Sequence, residues 1–172
     1  GRIAARDLCA RMDQPPFDRS PLDGYALHSA DTAGAGEKTP VALPVVMKLY
    51  AGDAPAAALP AGCAARIMTG APLPPGADCV LMQELTDSGE EQVRIYAQLQ
   101  PNANVVFRGE DIAAGAPIAA AGTVLTPAHI GVLAGQGIPD AEVFHPLTVG
   151  VLATGSELLE AGEAWAPGKI YD

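Results

Sequence analysis

The stretch from Arg66 to Asp78, Arg-Ile-Met-Thr-Gly-Ala-Pro-Leu-Pro-Pro-Gly-Ala-Asp, constrains this chain more than any other. A short apolar run breaks at Thr69-Gly70 and passes into a loop with three prolines and a second glycine. Gly70 is free to take a positive φ, and the prolines stiffen the loop after it. Neither a helix nor a continuous strand can run through such a segment. It reads as strand, tight turn, stiff loop, then a second strand over Cys79–Met82. Thr69 stands at the break, where its hydroxyl and nearby amides can face a ligand.

The same punctuation recurs along the chain. Pro15 to Pro21 carries three prolines in seven residues and reads as a linker. Asp23-Gly24 is a turn signal that opens a strand at Tyr25-Ala26-Leu27. Short strands are expected over Val41–Tyr50, Arg66–Met68, Cys79–Met82 and Val93–Tyr96, with Asp87–Glu91 as a hairpin tip. In the last strand Val93 and Ile95 take one face, Arg94 and Tyr96 the other. Such spacing suggests a small barrel or sandwich. Gly1–Ala10 is open between strand and short helix.

One helix is legible. Thr126 is its N-cap and Pro127 its first residue, Ile130, Leu133 and Ala134 share its buried face, and Gly135 or Gly137 ends it. A strand over Asp140–Phe144 comes next. Leu147–Ala153 is a continuous apolar run, expected to be a strand buried on both faces as in a parallel sheet. Thr154-Gly155-Ser156-Glu157 breaks it at its C-terminal end, where open α/β sheets bind ligands. A chain that starts at Gly1 and stops at Asp172, just after an apparent motif, is expected to be trimmed at both ends.

Composition excludes several functions. A formal charge of −10 disfavours electrostatic binding of nucleic acid or of an anionic membrane surface. No apolar run reaches the roughly 18 residues of a membrane span, and no signal peptide is visible. Cys9, Cys63 and Cys79 are odd in number and widely spaced, which argues against structural zinc and suits a reducing cytoplasm. His28, His129 and His145 are scattered, as packing or surface residues are.

Four carboxylates lie at turns: Asp23, Glu110, Asp111 and Glu157. Carboxylates so placed can hold a hard cation such as Mg²⁺ or orient a hydroxyl. They also commonly bond their own backbone. Thr69 and Thr154 each sit in a Thr-Gly turn, with no evident base nearby in sequence, so a phosphate-facing hydroxyl is easier to defend than a nucleophile. Thr154-Gly155-Ser156 lacks the Lys of a P-loop. Arg66 and Arg108 are the cations best placed for an anion.

The order of these motifs is specific. Ser20-Pro21-Leu22-Asp23-Gly24-Tyr25-Ala26, then Arg66 to Pro72, Arg108-Gly109-Glu110-Asp111, Gly122-Thr123 through Gly137-Ile138, Thr154 to Leu158 and Gly168 to Asp172 succeed one another. The chain resembles the N-terminal part of the MoeA-type molybdopterin molybdenumtransferase family, which includes the C-terminal domain of gephyrin. The resemblance implies a mixed α/β, multidomain fold. Residues 1–17 and 111–146 form a small, discontinuous α+β first domain, 18–110 an inserted β-rich domain, and 147–172 the start of a truncated α/β molybdopterin-binding domain.

It also implies a reaction. Molybdenum from molybdate is placed on adenylylated molybdopterin, AMP is released, and Mg²⁺ assists. The implied catalytic residues are Asp23, Thr69, Asp111 and Glu157. Thr69, Gly70, Thr154, Gly155 and Ser156 would bind the pterin nucleotide, and Asp23 and Glu157 the metal. The implied partners are a second subunit that shares the active site and other molybdenum cofactor biosynthesis proteins. A non-catalytic scaffold on the same fold is the alternative, and an unrelated phosphate-ester hydrolase a third reading. The family pattern is departed from in three places: Pro21-Leu22 before Asp23, Val106-Phe107 before Arg108, and Ser156 for the frequent Asp.

Overall fold

The computed structural model describes all 172 residues. Its strands are β1 (Leu8–Cys9), β2 (Gly24–Leu27), β3 (Val41–Leu49), β4 (Ala64–Ile67), β5 (Cys79–Met82), β6 (Gln92–Ile95), β7 (Pro117–Ala119), β8 (Leu158–Leu159) and β9 (Ile170–Tyr171). One helix, α1, spans Pro127–Gly135.

Strands β2 to β6 make one curled sheet in the order β5-β2-β4-β3-β6. All its pairings are antiparallel except β3 with β4, which is parallel. A parallel pair requires a crossover, and residues 50–63 supply it, burying Leu59 on the sheet as they cross. Both faces are covered. Tyr25, Leu27, Leu81, Val93 and Ile95 pack on one, while Ala26, Ile67, Val80 and Leu49 pack on the other. That explains why β2 is buried at all four positions, whereas edge strand β6 alternates, with Val93 and Ile95 inward. The sheet curls towards the expected small barrel: β5 and β6 are its end strands, and just past β5 the chain bridges β6, Thr86 to Ile95, with the Tyr96 amide donating to the Leu85 carbonyl at 3.0 Å. The free edge of β5 is satisfied by neighbouring loop: the Val80 amide donates to the Ala103 carbonyl at 3.0 Å, and Asn104 Nδ2 donates to the Val80 carbonyl at 2.8 Å.

A second, smaller core forms where the N-terminal segment meets residues from beyond the sheet. β1 pairs antiparallel with β7, Ile3 bridges to Val124, Ala4 to Val143 and Gln14 to Ile112. Ala4, Leu8, Ala119, Leu125 and Leu133 are its buried side chains. Helix α1 begins at the expected cap, with His129 Nδ1 accepting from the Thr126 amide at 3.1 Å, the part Glu or Gln plays in a capping box. It is closed by the turn at Gly137, whose φ of +64° suits the left-handed stop. The Ile138 amide then donates to the Leu133 carbonyl at 2.9 Å and the Gly137 amide to that of Ala134 at 2.9 Å, a Schellman motif.

Three expectations are corrected. Ile130 is 53% exposed and Ala134 is exposed, so Leu133 alone anchors the helix, which covers only a two-stranded pair. Asp140–Phe144 makes a single bridge at Val143 rather than a strand, because the N-terminal segment bends away after Ala4. Leu147–Ala153 forms no strand, and Leu147, Val151 and Leu152 are 93%, 92% and 85% exposed. A strand apolar on both faces needs neighbours to pair and cover it, and none of these residues supplies them.

Candidate functional site

The start of β2 is squeezed between two strands. Gly24 stands opposite both Ile67 of β4 and Met82 of β5, and a methyl group there would run into the Leu81 carbonyl oxygen. This close approach carries Asp23, one residue earlier, to the end of β4, where the chain leaves the sheet at Met68-Thr69. There Asp23 Oδ1 accepts two hydrogen bonds, from the Thr69 amide and from the Thr69 hydroxyl, each 2.7 Å.

The Thr69 turn is held from several directions. The Ala71 amide donates to the Met68 carbonyl at 3.0 Å, and Gly70 has φ +84°, as the third residue of a type II turn requires. The Gly70 amide donates to the carbonyl of buried Ser20 at 2.8 Å, and the Ser20 amide returns to the Ala71 carbonyl at 3.0 Å. The two bonds from Thr69 hold the Asp23 carboxyl below its ordinary range, with a smaller pull from the Arg66 guanidinium. Oδ2 makes no hydrogen bond within the chain. The exposed surface is therefore an ionised carboxylate beside a hydroxyl whose proton already points at it. Such a surface accepts; it does not donate. A phosphate does not dock there without a cation or donors brought from elsewhere.

Arg66 lies on β4 next to this turn. Its guanidinium sits 4.9 Å from the Tyr25 ring centroid, and Nη2 donates to Gln83 Oε1 at 2.6 Å. Nη1 is buried without any partner.

The Gly109–Asp111 turn lies elsewhere. Asp13, which sequence reasoning missed, organises it: its carboxylate accepts from the Ala114 amide at 2.8 Å and from Arg108 Nε at 2.5 Å. These bonds, the Ala114 amide foremost, hold the Asp13 carboxyl below its usual range. Asp13 takes Arg108 Nε, while the Arg108 side chain as a whole stays 66% exposed. Glu110 accepts from the Phe107 amide at 2.8 Å and closes its own turn. The Asp111 side chain has no hydrogen-bond partner in the chain and lines a groove of about 480 Å³ with Glu110, Ile118, His129 and Val132. Nothing in the sequence near Asp13 signals its role, since its partners are about a hundred residues away.

Thr154, Gly155, Ser156 and Glu157 lie on the exposed tail. Lys169 Nζ donates to the Ser156 carbonyl, and β8 and β9 pair in parallel just after the turn. The structure therefore brings together Asp23, Thr69 and Gly70. It joins neither Asp111 nor the Thr154–Glu157 turn to them by any hydrogen bond. Asp23 and Glu157 form no common cluster, and no group of three or more His, Cys, Asp or Glu side chains could hold a metal ion.

A curled five-stranded sheet carried on a small discontinuous core is the architecture of a molybdopterin biosynthesis protein's N-terminal part. The solved MoeA protein of Pyrococcus horikoshii matches it with a TM-score of 0.90 at 39% identity, covering 100% of this chain and 44% of that one. Residues 1–137 match the MoeA N-terminal region, domains I and II, and the chain belongs to the MoeA family. Molybdopterin molybdenumtransferase 2 of Mycobacterium tuberculosis is 40% identical over 172 residues, and the molybdopterin molybdenumtransferase of Bacillus subtilis 39% over 173. The alignments take in 100% and 98% of this chain, which spans 42% and 40% of those proteins.

Proposed function

We propose that the protein carrying this chain is a molybdopterin molybdenumtransferase that takes molybdenum from molybdate, places it on adenylylated molybdopterin and releases AMP. Membership of the MoeA family and relatives bearing that name support the reading. The observation that carries it is the Asp23–Thr69 pair, a rigidly held carboxylate and hydroxyl on an exposed turn.

In this reading the site is shared. Residues 18–110 are the inserted domain that presents Asp23, Thr69 and Gly70. Residues 1–17 with 111–146 are the first domain, which presents Asp111. Residues 147–172 open the α/β domain that holds the pterin, with Thr154, Gly155, Ser156 and Glu157 at its first loop. The protein works as a homodimer, and one subunit's Asp23–Thr69 turn faces the α/β domain of the other. Asp23 Oδ2 is the free acceptor on this surface, available to a substrate hydroxyl or amine, while Oδ1 fixes the turn. The three cysteines are free, and we place the protein in the cytoplasm. No helix is long and apolar enough to cross a membrane.

The test is cofactor reconstitution by the full-length protein, supplied with adenylylated molybdopterin and molybdate. AMP release together with molybdenum on the dithiolene is the expected result. Tight pterin binding without AMP release would replace the enzyme by a scaffold on the same fold.

A further inference from the structure

Ser20 is fully buried in the motif that leads into Asp23. Residues 18–20 run antiparallel to residues 70–73. The Leu73 amide donates to the Asp18 carbonyl at 2.9 Å, the Ser20 amide to the Ala71 carbonyl at 3.0 Å, and the Gly70 amide to the Ser20 carbonyl at 2.8 Å. This ladder stops at Ser20. Beyond Pro21 and Leu22 the chain comes back at Asp23 to meet Thr69, so the bend between them decides where the carboxylate stands.

That bend has little main-chain support. Pro21 carries no amide, and neither the amide nor the carbonyl of Leu22 bonds another main-chain group. Both go to a single atom. Ser20 Oγ accepts from the Leu22 amide at 3.2 Å and donates to the Leu22 carbonyl at 2.5 Å. A serine hydroxyl bonded to the amide two residues on holds a turn that the main chain alone leaves loose. The Leu22 carbonyl belongs to the peptide that leads into Asp23, so holding it fixes the approach to Asp23. Downstream, the Asp23 carbonyl accepts from the Gln83 amide at 3.0 Å. One buried residue therefore grips both halves of the pair. Its hydroxyl holds the approach to Asp23, and its main chain holds the Gly70 end of the Thr69 turn.

We propose that Ser20 is the positioning residue of the Asp23–Thr69 pair: its hydroxyl, bonded only to the Leu22 main chain, holds the Asp23 carboxylate against the Thr69 amide and hydroxyl. Ser20 lies beneath the turn and acts through Asp23, not on a ligand. The consequence for molybdenum insertion rests on the function proposed above. There the expected effect falls on turnover, because a small misplacement of a reacting group costs rate steeply.

The test uses the full-length protein, unaltered and as Ser20→Ala, Ser20→Cys, Ser20→Thr and Asp23→Asn. Two quantities are read: the carboxyl NMR titration of Asp23, its signal assigned by its absence from Asp23→Asn, and steady-state molybdenum insertion. Ser20→Ala removes the hydroxyl and adds no bulk. Its Asp23 pKa is expected to rise towards the ordinary carboxylate value as the Thr69 bonds loosen. Its kcat is expected to fall about tenfold or more with little change in KM. Ser20→Cys fills the site with a weaker hydrogen-bonding group and decides the matter if Ser20→Ala does not fold. Ser20→Thr keeps the hydroxyl and is expected to restore both the titration and most of the rate. A lowered thermal midpoint with an unaltered Asp23 titration in Ser20→Ala or Ser20→Cys would overturn the proposal, since Ser20 would then only stabilise the fold. A shifted titration with unaltered insertion in both Ser20→Ala and Asp23→Asn would uphold the positioning and overturn instead the active-site role of the pair.

Discussion

Asp23 and Thr69 are 46 residues apart in sequence and meet through two 2.7 Å hydrogen bonds. Their geometry has a measurable consequence. The folded Asp23 carboxyl lies below the ordinary value of about 3.9, so its contribution to stability is complete above that value. It is lost as the pH falls through the lower folded pKa. Thr69→Val deletes the hydroxyl bond and keeps the amide bond. Its expected effect is a rise of the Asp23 pKa part of the way back, read by carboxyl NMR titration. Gly24→Ala tests the neighbouring constraint. The added methyl meets the Leu81 backbone, which cannot move without parting β2 from β5. A loss of roughly 3 kcal/mol or more in denaturant unfolding is expected. Both residues were legible as a turn signal in the sequence. Their pairing was not, because it depends on β4 ending beside the start of β2. Arg108 meets Asp13 through its Nε, a pairing that no local signal in the sequence shows.

Among the elements, those with strong local chemistry were read closely. β5 falls on Cys79–Met82 as expected, and α1 starts after Thr126 and ends at Gly135, closed by the turn at Gly137. Caps and turns act within a few residues, so they are visible in a single sequence. The parallel pairing of β3 with β4 was not visible, since no local signal distinguishes it from a hairpin. Ile130 was misplaced for a related reason: periodicity gives a helix an apolar face but not the width of what covers it. The C-terminal stop of α1 offers a direct check. Gly137→Ala forces a side chain to φ +64° and should cost about 1 kcal/mol, seen as a lower thermal midpoint. An unchanged midpoint would mean that the Schellman bonds do not fix the helix end.

At the scale of the molecule, the apolar run Leu147–Ala153 is the feature least at home in this chain. Sequence read it as a strand buried on both faces; the structure leaves it open. The physical difference is one of neighbours, since sheet formation depends on partners that a segment does not contain. In the full-length protein, amides of residues 147–153 should be protected from hydrogen exchange, and in the 172-residue chain alone they should exchange freely. Equal, rapid exchange in both would remove this segment from the proposed α/β domain. Under the proposed function Asp23 and Thr69 offer one wall of a shared site, so the 172-residue chain alone should release no AMP from adenylylated molybdopterin.

The claim that this wall belongs to an active site is tested most directly by molybdenum insertion with full-length Asp23→Asn. The amide keeps the size of the carboxylate and an acceptor for the Thr69 turn, but it removes the charge at Oδ2. The expected result is insertion reduced at least about tenfold, with the thermal midpoint close to that of the unaltered protein. Unchanged insertion by a well-folded Asp23→Asn protein would contradict the account.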